Sequence, residues 1–290
     1  MIPVGTLPRH DWQQQSACDA VCSVDEPQTT ARWLRIVRWT AFVVVALSGI
    51  LALALVYPFG ARARRVVIRG GARSLLFALG VRVEPVGNVP LRALVVANHQ
   101  SLLDIVAIAS IAPAAFVAKA DIFDARAVAL LMRAFGAIPL RRERLHELPA
   151  RVDDVAERLR RGHTVAVFPE GTTYCGFHRG DFRPAFFQAA IDARVDVVPV
   201  SLRYSMRLPG PVRGARQSAV AAYVGADTEL DTLARVVGAR GVAVRVHATE
   251  TIAAQEWARA GRRALAARAE AAVFADSEFL AEQVGLPLAA

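Results

Sequence analysis

The chain carries a histidine and an aspartate at a spacing that suits proton transfer. An apolar run, Ala93 to Ala97, predicts a buried strand that leads into Asn98 and His99. A second apolar run, Leu102 to Ile111, predicts a helix with Asp104 in its first turn. If His99 lies just before that helix, the Asp104 carboxylate can reach back to the imidazole. It would then hold one tautomer and leave the other ring nitrogen to act as a base.

The same residues also have a purely structural interpretation. Ser101-x-x-Asp104 is the pattern of a capping box, in which the aspartate only satisfies backbone amides at a helix start. On residues 98 to 104 alone, that interpretation is the simpler one. A second segment, Phe-Pro-Glu-Gly-Thr-Thr at residues 168 to 173, favours the catalytic interpretation instead, because it too ends an apolar run and enters a turn.

Together these segments resemble the lysophospholipid acyltransferase family, which includes the 1-acylglycerol-3-phosphate acyltransferases. The family's first motif, Asn-His-x-x-x-x-Asp, matches Asn98, His99 and Asp104, and its third, Phe-Pro-Glu-Gly-Thr, matches residues 168 to 172. Weaker matches to the second and fourth motifs are Gly-Ala-Ile-Pro-Leu-Arg-Arg at 136 to 142 and Val-Pro-Val-Ser at 198 to 201. Four motifs in the family's order, between residues 80 and 205, make the resemblance specific.

The resemblance implies a reaction and the residues that serve it. The expected reaction moves an acyl chain from a thioester, acyl-CoA or an acyl carrier protein, to the sn-2 hydroxyl of 1-acylglycerol 3-phosphate. His99 is the expected general base, and Asp104 is its orienting partner. Glu170, Gly171 and Thr172 are expected to help bind the lysolipid acceptor. Acyl transfer of this kind requires no metal and no redox cofactor, and we expect neither.

Arg142 is the residue that we expect to bind the acceptor phosphate. It ends the segment that resembles the second motif, and a guanidinium group can bind phosphate through two hydrogen bonds. Arg141 and Arg144 are alternatives, and in an arginine-rich chain each of the three is also compatible with an ordinary surface charge. Many family members carry arginine where this chain has Thr173, so the resemblance gives no phosphate contact there.

The chain has three cysteines, too few for a disulfide framework. Cys18-x-x-x-Cys22 has no second pair of ligands nearby in the sequence, so we expect no metal site. Cys175 closely follows the glutamate motif, where an ordinary free thiol is the simpler interpretation and a nucleophile the alternative.

Elements that alternate in type position these residues. Strand patterns lie at 81–86, 94–97, 115–118, 138–140, 164–168 and 195–204, and helix patterns at 102–111, 125–135, 148–159 and 184–193. Further strands are predicted at 219–224 and 242–246, and a helix at 251–284. This alternation predicts an α/β fold with a mixed, largely parallel central sheet flanked by helices.

Three segments are predicted: a disordered tail at 1–31, a membrane-anchoring helix with a basic interfacial segment at 32–80, and an acyltransferase domain at 81–290. Thr40 to Phe59 is a run of twenty residues without a charge. At about 1.5 Å per residue a helix of that length spans about 30 Å, the thickness of a bilayer core. Arginines are denser after the run than before it, which predicts a cell-membrane protein with its catalytic domain on the cytoplasmic side.

Composition agrees with a membrane partner. The 290 residues are 54% hydrophobic and carry a net charge of +9. Nucleic acid is the first partner to consider for so basic a chain, but no nucleic-acid motif is present, and an anionic membrane surface suits an apolar basic protein better. The alternatives are an acyltransferase for another lysolipid (a lysophospholipid or lyso-aminolipid), a non-catalytic lipid-binding protein of the same fold, and a thioesterase.

Overall fold

A sheet of eight strands forms the centre of the protein. The computed structural model describes residues 18, 22, 30–120, 132, 136–141, 144–207, 215–223, 225 and 227–284. The strands are β1 (Val81–Val86), β2 (Leu94–Ala97), β3 (Ala115–Lys119), β4 (Ile138–Leu140), β5 (Val165–Val167), β6 (Val197–Arg207), β7 (Ala215–Gln217) and β8 (Val242–Ala248). Their order is β1-β8-β6-β2-β5-β3-β4, with β7 added to β6. Only the β6–β8 and β6–β7 pairs are antiparallel among these strands, which confirms the predicted fold class.

Helices cover both faces of the sheet. They are α1 (Arg32–Val56), α2 (Gly60–Ala78), α3 (Leu103–Ile111), α4 (Leu148–Arg160), α5 (Phe187–Ala193), α6 (Glu229–Gly238), α7 (Ala254–Trp257) and α8 (Gly261–Val284). Successive side chains of a strand point to opposite faces. Val95 and Ala97 of β2 therefore pack in one core with residues of α2, α3 and α6. Leu94 and Val96 pack in a second core with residues of α4, α5 and α8.

Helices α1 and α2 form an antiparallel hairpin around a short turn, Tyr57–Phe59. At the start of α1, the Arg38 guanidinium donates hydrogen bonds to the carbonyls of Val237, at 2.8 Å, and Ala239, at 2.7 Å. At the other end of the hairpin, Tyr57 lines a surface cavity together with Pro113 and other residues of the globular part. Both ends of α1 therefore lie beside the globular part, and the helix runs along it.

The second helix of the hairpin belongs to the main core. Ala72, Leu76 and Leu79 pack in the same cluster as the strands. Residues of α2, which the prediction assigns to the anchor, thus share a core with the predicted domain. Most of the predicted tail, 1–31, lies outside the described residues, but Cys18 and Thr30 are described and are buried against the globular part.

The prediction of a long apolar N-terminal helix is confirmed. Within the described ranges, one helical stretch, Arg32–Ala78, is long and apolar enough to cross a membrane by length and composition. Only 6% of its most apolar window is buried, which separates it from the core helix of a soluble protein.

One predicted strand is wrong, and one predicted helix lies almost entirely outside the described residues. The strand predicted at 219–224 is wrong, because residues 219–223 form a turn that is buried at 219–222, and the strand in this region is β7. The helix predicted at 125–135 lies outside the described residues except for residue 132, which is helical.

Candidate active site

The candidate active site lies where two neighbouring parallel strands end. Strands β2 and β5 pair in parallel, so their carboxyl ends meet at one edge of the sheet. His99 follows the end of β2, and Glu170 follows the end of β5. This pairing brings together two motifs that are 71 positions apart in the sequence.

Asp104 binds His99 and the backbone at the same time. Its Oδ2 atom lies 2.9 Å from His99 Nδ1 and accepts hydrogen bonds from the backbone amides of Gln100, at 2.6 Å, and Ser101, at 2.8 Å. The side chain of Asp104 is fully buried. The two interpretations of the sequence, helix capping and orientation of the histidine, therefore both describe this carboxylate.

This geometry fixes the tautomer of His99. An ionised carboxylate can only accept, so the proton between the two groups belongs to Nδ1. Nε2 is then the nitrogen that can take a proton from a substrate. The imidazole stacks on the Phe168 ring, with centroids 4.0 Å apart and an angle of 12° between the planes, which holds its orientation.

Tyr204 completes the hydrogen bonding of Asp104. Its hydroxyl donates to Asp104 Oδ1 at 2.8 Å, from within β6. Burial and then the negative charge of Asp104 raise the pKa of Tyr204 well above its usual value, so the phenol stays protonated and remains a donor. Sequence reasoning missed this residue. The available signal was a tyrosine in an apolar strand, where a buried hydroxyl needs a partner.

Asn98 fixes the end of β2 against β6. Its side-chain amide donates to the Leu202 carbonyl at 2.9 Å, and its oxygen accepts from the Leu202 amide at 2.7 Å. Gln100 donates a further hydrogen bond of 2.7 Å to the same carbonyl. The residues on either side of His99 are thereby held to the neighbouring strand.

Glu170 lies behind the backbone of His99. Its Oε2 accepts from the His99 amide at 2.5 Å, and its Oε1 accepts from the Gly180 amide at 3.0 Å. The residue is 1% exposed. Burial, the largest cause, raises the pKa of Glu170 to about 8, while the two amide donors oppose the shift. In this geometry Glu170 supports the backbone of His99, and both of its oxygens are already engaged.

A tight turn follows Glu170. Gly171 has a φ of 74°, and its amide donates to the Phe168 carbonyl at 3.1 Å. Glycine adopts this left-handed conformation without steric cost. Thr172 is half-buried in the same turn, and Thr173 donates to the Tyr223 carbonyl at 2.6 Å. The residue in the place of the family's arginine therefore binds the chain's own backbone.

The predicted phosphate ligand, Arg142, lies outside the described residues. Its described neighbours Arg141 and Arg144 are exposed, with guanidinium nitrogens 3.8 Å and 3.1 Å from a Glu147 oxygen. The structure thus brings together His99, Asp104, Glu170, Gly171 and Thr172. The position of Arg142 relative to them lies outside the described residues.

Cys175 is poorly suited to be a nucleophile in the state described. Burial raises the pKa of its thiol to about 12. Because the thiolate is the reactive form of cysteine, such a thiol is inert near neutral pH.

The chain is similar to known acyltransferases. A family model described as Acyltransferase matches residues 80–203. A 1-acyl-sn-glycerol-3-phosphate acyltransferase of Neisseria meningitidis is 36% identical over 143 residues, which are 48% of this chain and 56% of the relative. The chain thus spans little more than half the length of that relative. A lyso-ornithine lipid O-acyltransferase of Pseudomonas aeruginosa is 30% identical over 202 residues, 68% of this chain and 74% of the relative.

The fold has a solved counterpart. The crystal structure of a 1-acyl-sn-glycerophosphate acyltransferase from Thermotoga maritima superposes with a TM-score of 0.61 at 23% identity, covering 86% of this chain and 95% of that one. The range that the family model matches includes His99, Asp104 and the glutamate motif, and a relative that is 30% identical is matched over 74% of its length, so this chain belongs to the acyltransferase family.

Proposed function

We propose that this protein is a membrane-bound O-acyltransferase that esterifies the sn-2 hydroxyl of 1-acylglycerol 3-phosphate and so forms phosphatidate. The observation that carries the proposal is the His99–Asp104 pair, 2.9 Å apart at the carboxyl end of β2. A base with a fixed tautomer is what an alcohol needs when it attacks a thioester.

His99 acts as the general base in this mechanism. Its Nε2 takes the proton of the acceptor hydroxyl while the hydroxyl oxygen forms a bond to the thioester carbonyl carbon. The resulting tetrahedral intermediate then collapses, the carbon–sulphur bond breaks, and the leaving thiolate takes the proton from His99. Asp104 stabilises the imidazolium between these two transfers, and Tyr204 holds Asp104 in place.

The glutamate motif positions the catalytic histidine and shapes the acceptor site. Glu170 holds the amide of His99, and this contact favours a positioning role over direct contact with the glycerol. Gly171 and Thr172 form the turn beside it and are the residues that we assign to the acceptor. The acceptor phosphate is assigned to Arg142.

A lyso-aminolipid is the second candidate acceptor. The lyso-ornithine lipid acyltransferase of Pseudomonas aeruginosa aligns with 68% of this chain, against 48% for the Neisseria enzyme. Many relatives carry an arginine, which can bind phosphate, at the position of Thr173. In this chain the Thr173 hydroxyl donates to the Tyr223 carbonyl instead. Both acceptors use the same base, donor and chemistry, so only the headgroup contacts distinguish them.

The exposed face of α1 supports attachment to the membrane. Large apolar side chains project from it at helical spacing and are 44 to 66% exposed: Trp33, Ile36, Val37, Val43, Val44, Leu47, Ile50, Leu51 and Leu55. Because α1 runs along the globular part, this face can enter one leaflet while the arginines of α2 meet anionic headgroups. We further propose that the catalytic domain, 81–290, lies on the cytoplasmic side of the cell membrane with 32–80 as its anchor, because the arginines of α2 suit the anionic lipids of the cytoplasmic leaflet.

The test is acyl transfer by detergent-purified protein to a panel of lysolipids, with acyl-CoA and acyl-acyl carrier protein as separate donors. We expect phosphatidate from 1-acylglycerol 3-phosphate and weaker transfer to zwitterionic lysolipids. Transfer only to lyso-ornithine lipid would replace the acceptor assignment. Free fatty acid released without acceptor would indicate a thioesterase, and the absence of any turnover would indicate a lipid-binding protein.

A further inference from the structure

Three cysteine thiols from distant parts of the sequence meet close to the active site. The sulphur atoms of Cys18, Cys22 and Cys175 all lie within 4.8 Å of one another. These are all the cysteines of the chain, and none of them is in a disulfide. Cys18 and Cys175 are 5% and 1% exposed, and Cys22 is half-buried. We call these three residues the thiol cluster.

Backbone amides point at two sulphur atoms of the thiol cluster. The Cys175 amide donates to Cys18 Sγ at 3.3 Å. The amides of Phe177 and His178 donate to the Cys175 sulphur. Hydrogen bonds of this kind spread the negative charge of a thiolate, and they are the outer contacts that orient and tune metal-bound cysteines. The loop after β5 thus supplies amide donors that a metal-bound thiolate at Cys175 would accept from.

We propose that the thiol cluster is a Zn²⁺ site with Cys18, Cys22 and Cys175 as thiolate ligands. Tetrahedral Zn²⁺ binds thiolates at about 2.3 Å, which separates ligand sulphurs by about 3.8 Å. Sulphurs that already lie within 4.8 Å reach this geometry through small side-chain movements. Soft thiolate ligands select Zn²⁺ over hard cations such as Mg²⁺ and Ca²⁺.

The fourth ligand of the proposed Zn²⁺ is either the His178 imidazole or a water molecule. His178 follows Cys175 by three residues, and its imidazole is exposed and on the same loop as the sulphur that its amide contacts. Three cysteines with one histidine is an established ligand set for structural Zn²⁺.

Metal binding suits the cluster better than a disulfide does. An odd number of thiols leaves one unpaired after any intramolecular disulfide. On the cytoplasmic side, where we place the domain, thiols are kept reduced, and grouped cysteines there more often bind metals. Sequence spacing could not show this site, because the third ligand lies 157 positions from Cys18.

The proposed ion has a structural role next to the catalytic histidine. Tyr174, the residue before Cys175, donates its amide to the His99 carbonyl at 2.8 Å. Gly180, farther along the same loop, donates to Glu170 at 3.0 Å. An ion that joins Cys175 to the N-terminal segment would therefore fix the loop that supports His99, without taking part in acyl transfer.

The experiment measures metal directly on the full-length protein purified in detergent without chelators. Elemental mass spectrometry should find about one Zn²⁺ per chain, and Co²⁺ exchanged into the wild type should show the absorption of a tetrahedral cobalt–thiolate centre. Cys18→Ser, Cys22→Ser and Cys175→Ser should each lower the zinc content. His178→Ala should shift the Co²⁺ spectrum if the imidazole is the fourth ligand, and His146→Ala, at another exposed histidine, should not.

The wild-type measurements keep the proposal open to refutation even if a serine variant fails to fold. Far less than one equivalent of Zn²⁺, both as purified and after incubation with Zn²⁺ followed by desalting, would overturn it. An intact mass lower by two hydrogens, with one alkylatable thiol in place of three, would overturn it in favour of a disulfide. These measurements do not depend on acyl transfer, so the metal-site proposal can be refuted without refuting the proposed enzymatic activity, and the reverse also holds.

Discussion

The hydroxyl of Tyr204 donates to Oδ1 of Asp104, while the other oxygen of that carboxylate faces His99. Tyr204→Phe removes this donor and leaves Oδ1 buried without it, at a cost of about 1–3 kcal/mol. We expect a lower unfolding temperature and a lower kcat, with little change in KM because Tyr204 is buried behind Asp104. Steady-state kinetics and thermal unfolding check this. An unchanged kcat in a destabilised variant would show that Tyr204 serves only the fold.

The general base gives the largest expected effect. His99→Ala should lower acyl transfer by about 10²-fold to 10⁴-fold, the usual range for a lost general base. Expression and membrane association should be unchanged. His146→Ala removes an exposed histidine whose side chain is 78% accessible and should leave the rate intact. Near-normal turnover by His99→Ala would contradict the mechanism.

Asp104→Asn tests the orientation of the histidine. Asparagine can keep its oxygen toward the Gln100 and Ser101 amides and turn its NH2 to the Tyr204 hydroxyl, which can also accept, but it carries no negative charge to stabilise the imidazolium. We expect a large loss of kcat, because the charge that stabilises the imidazolium is gone, and a smaller loss of stability, because charge-assisted hydrogen bonds become neutral ones. Rates normalised to folded protein separate the two losses, and a folded Asn variant with wild-type kcat would argue against the orienting role.

Glu170 should make stability depend on pH. Burial raises its pKa from 4.5 to about 8, so the folded protein binds this proton more tightly than the unfolded chain does. The contribution of Glu170 to the free energy of unfolding is therefore fully present below about 4.5 and is lost as the pH rises through about 8. Glu170→Gln should abolish this part of the pH dependence and cost about 1–3 kcal/mol at low pH, because one backbone amide loses its acceptor. Denaturant titrations across the pH range test it, with exposed Glu256→Gln as the matched control.

Arg142 should distinguish charged from uncharged acceptors. If it binds the acceptor phosphate, Arg142→Ala loses a charge-assisted hydrogen bond worth about 1.5–3 kcal/mol. That is about a tenfold to 150-fold loss in kcat/KM for 1-acylglycerol 3-phosphate. Monoacylglycerol should be a poor substrate for the wild type and little affected by the substitution. Equal losses on both acceptors would mean that Arg142 serves the fold or the donor, and Arg144→Ala provides the comparison at a neighbouring arginine.

Much of the catalytic centre could be predicted because it is local in the sequence. His99 and Asp104 are five positions apart, and the strand before them and the helix after them are both marked by apolar runs. The alternation of strands and helices likewise identified the sheet. Contacts between residues that are far apart in the sequence leave no comparable pattern in the sequence. The hydrogen bond from Tyr204 to Asp104 spans 100 positions, and the one from His99 to Glu170 spans 71.

The turn at residues 219–223 shows why an apolar run alone misleads. Residues 219–222 are buried, as those of a strand can be, but the Ala222 amide donates back to the Ala219 carbonyl and the Tyr223 amide donates to the Gln100 carbonyl. Val220 and Ala221 are buried in the main core, Ala219 and Ala222 pack with Tyr174 and Cys175, and none of the four belongs to a strand. An apolar composition indicates that a segment is buried, but the hydrogen-bond partners of its backbone determine whether it forms a strand.

The contact between Asn98 and Leu202 also bears on how the enzyme is made. The two residues are 104 positions apart, and β6, which carries Leu202 and Tyr204, fills the place between β2 and β8. A nascent chain that has emerged from the ribosome only as far as α5 lacks both the clamp on Asn98 and the phenol that holds Asp104. Such long-range pairings form slowly, and domains are synthesised from the N-terminus. The exposed face of α1 emerges long before them, so the growing chain can reach a lipid surface while its histidine is still without a finished site.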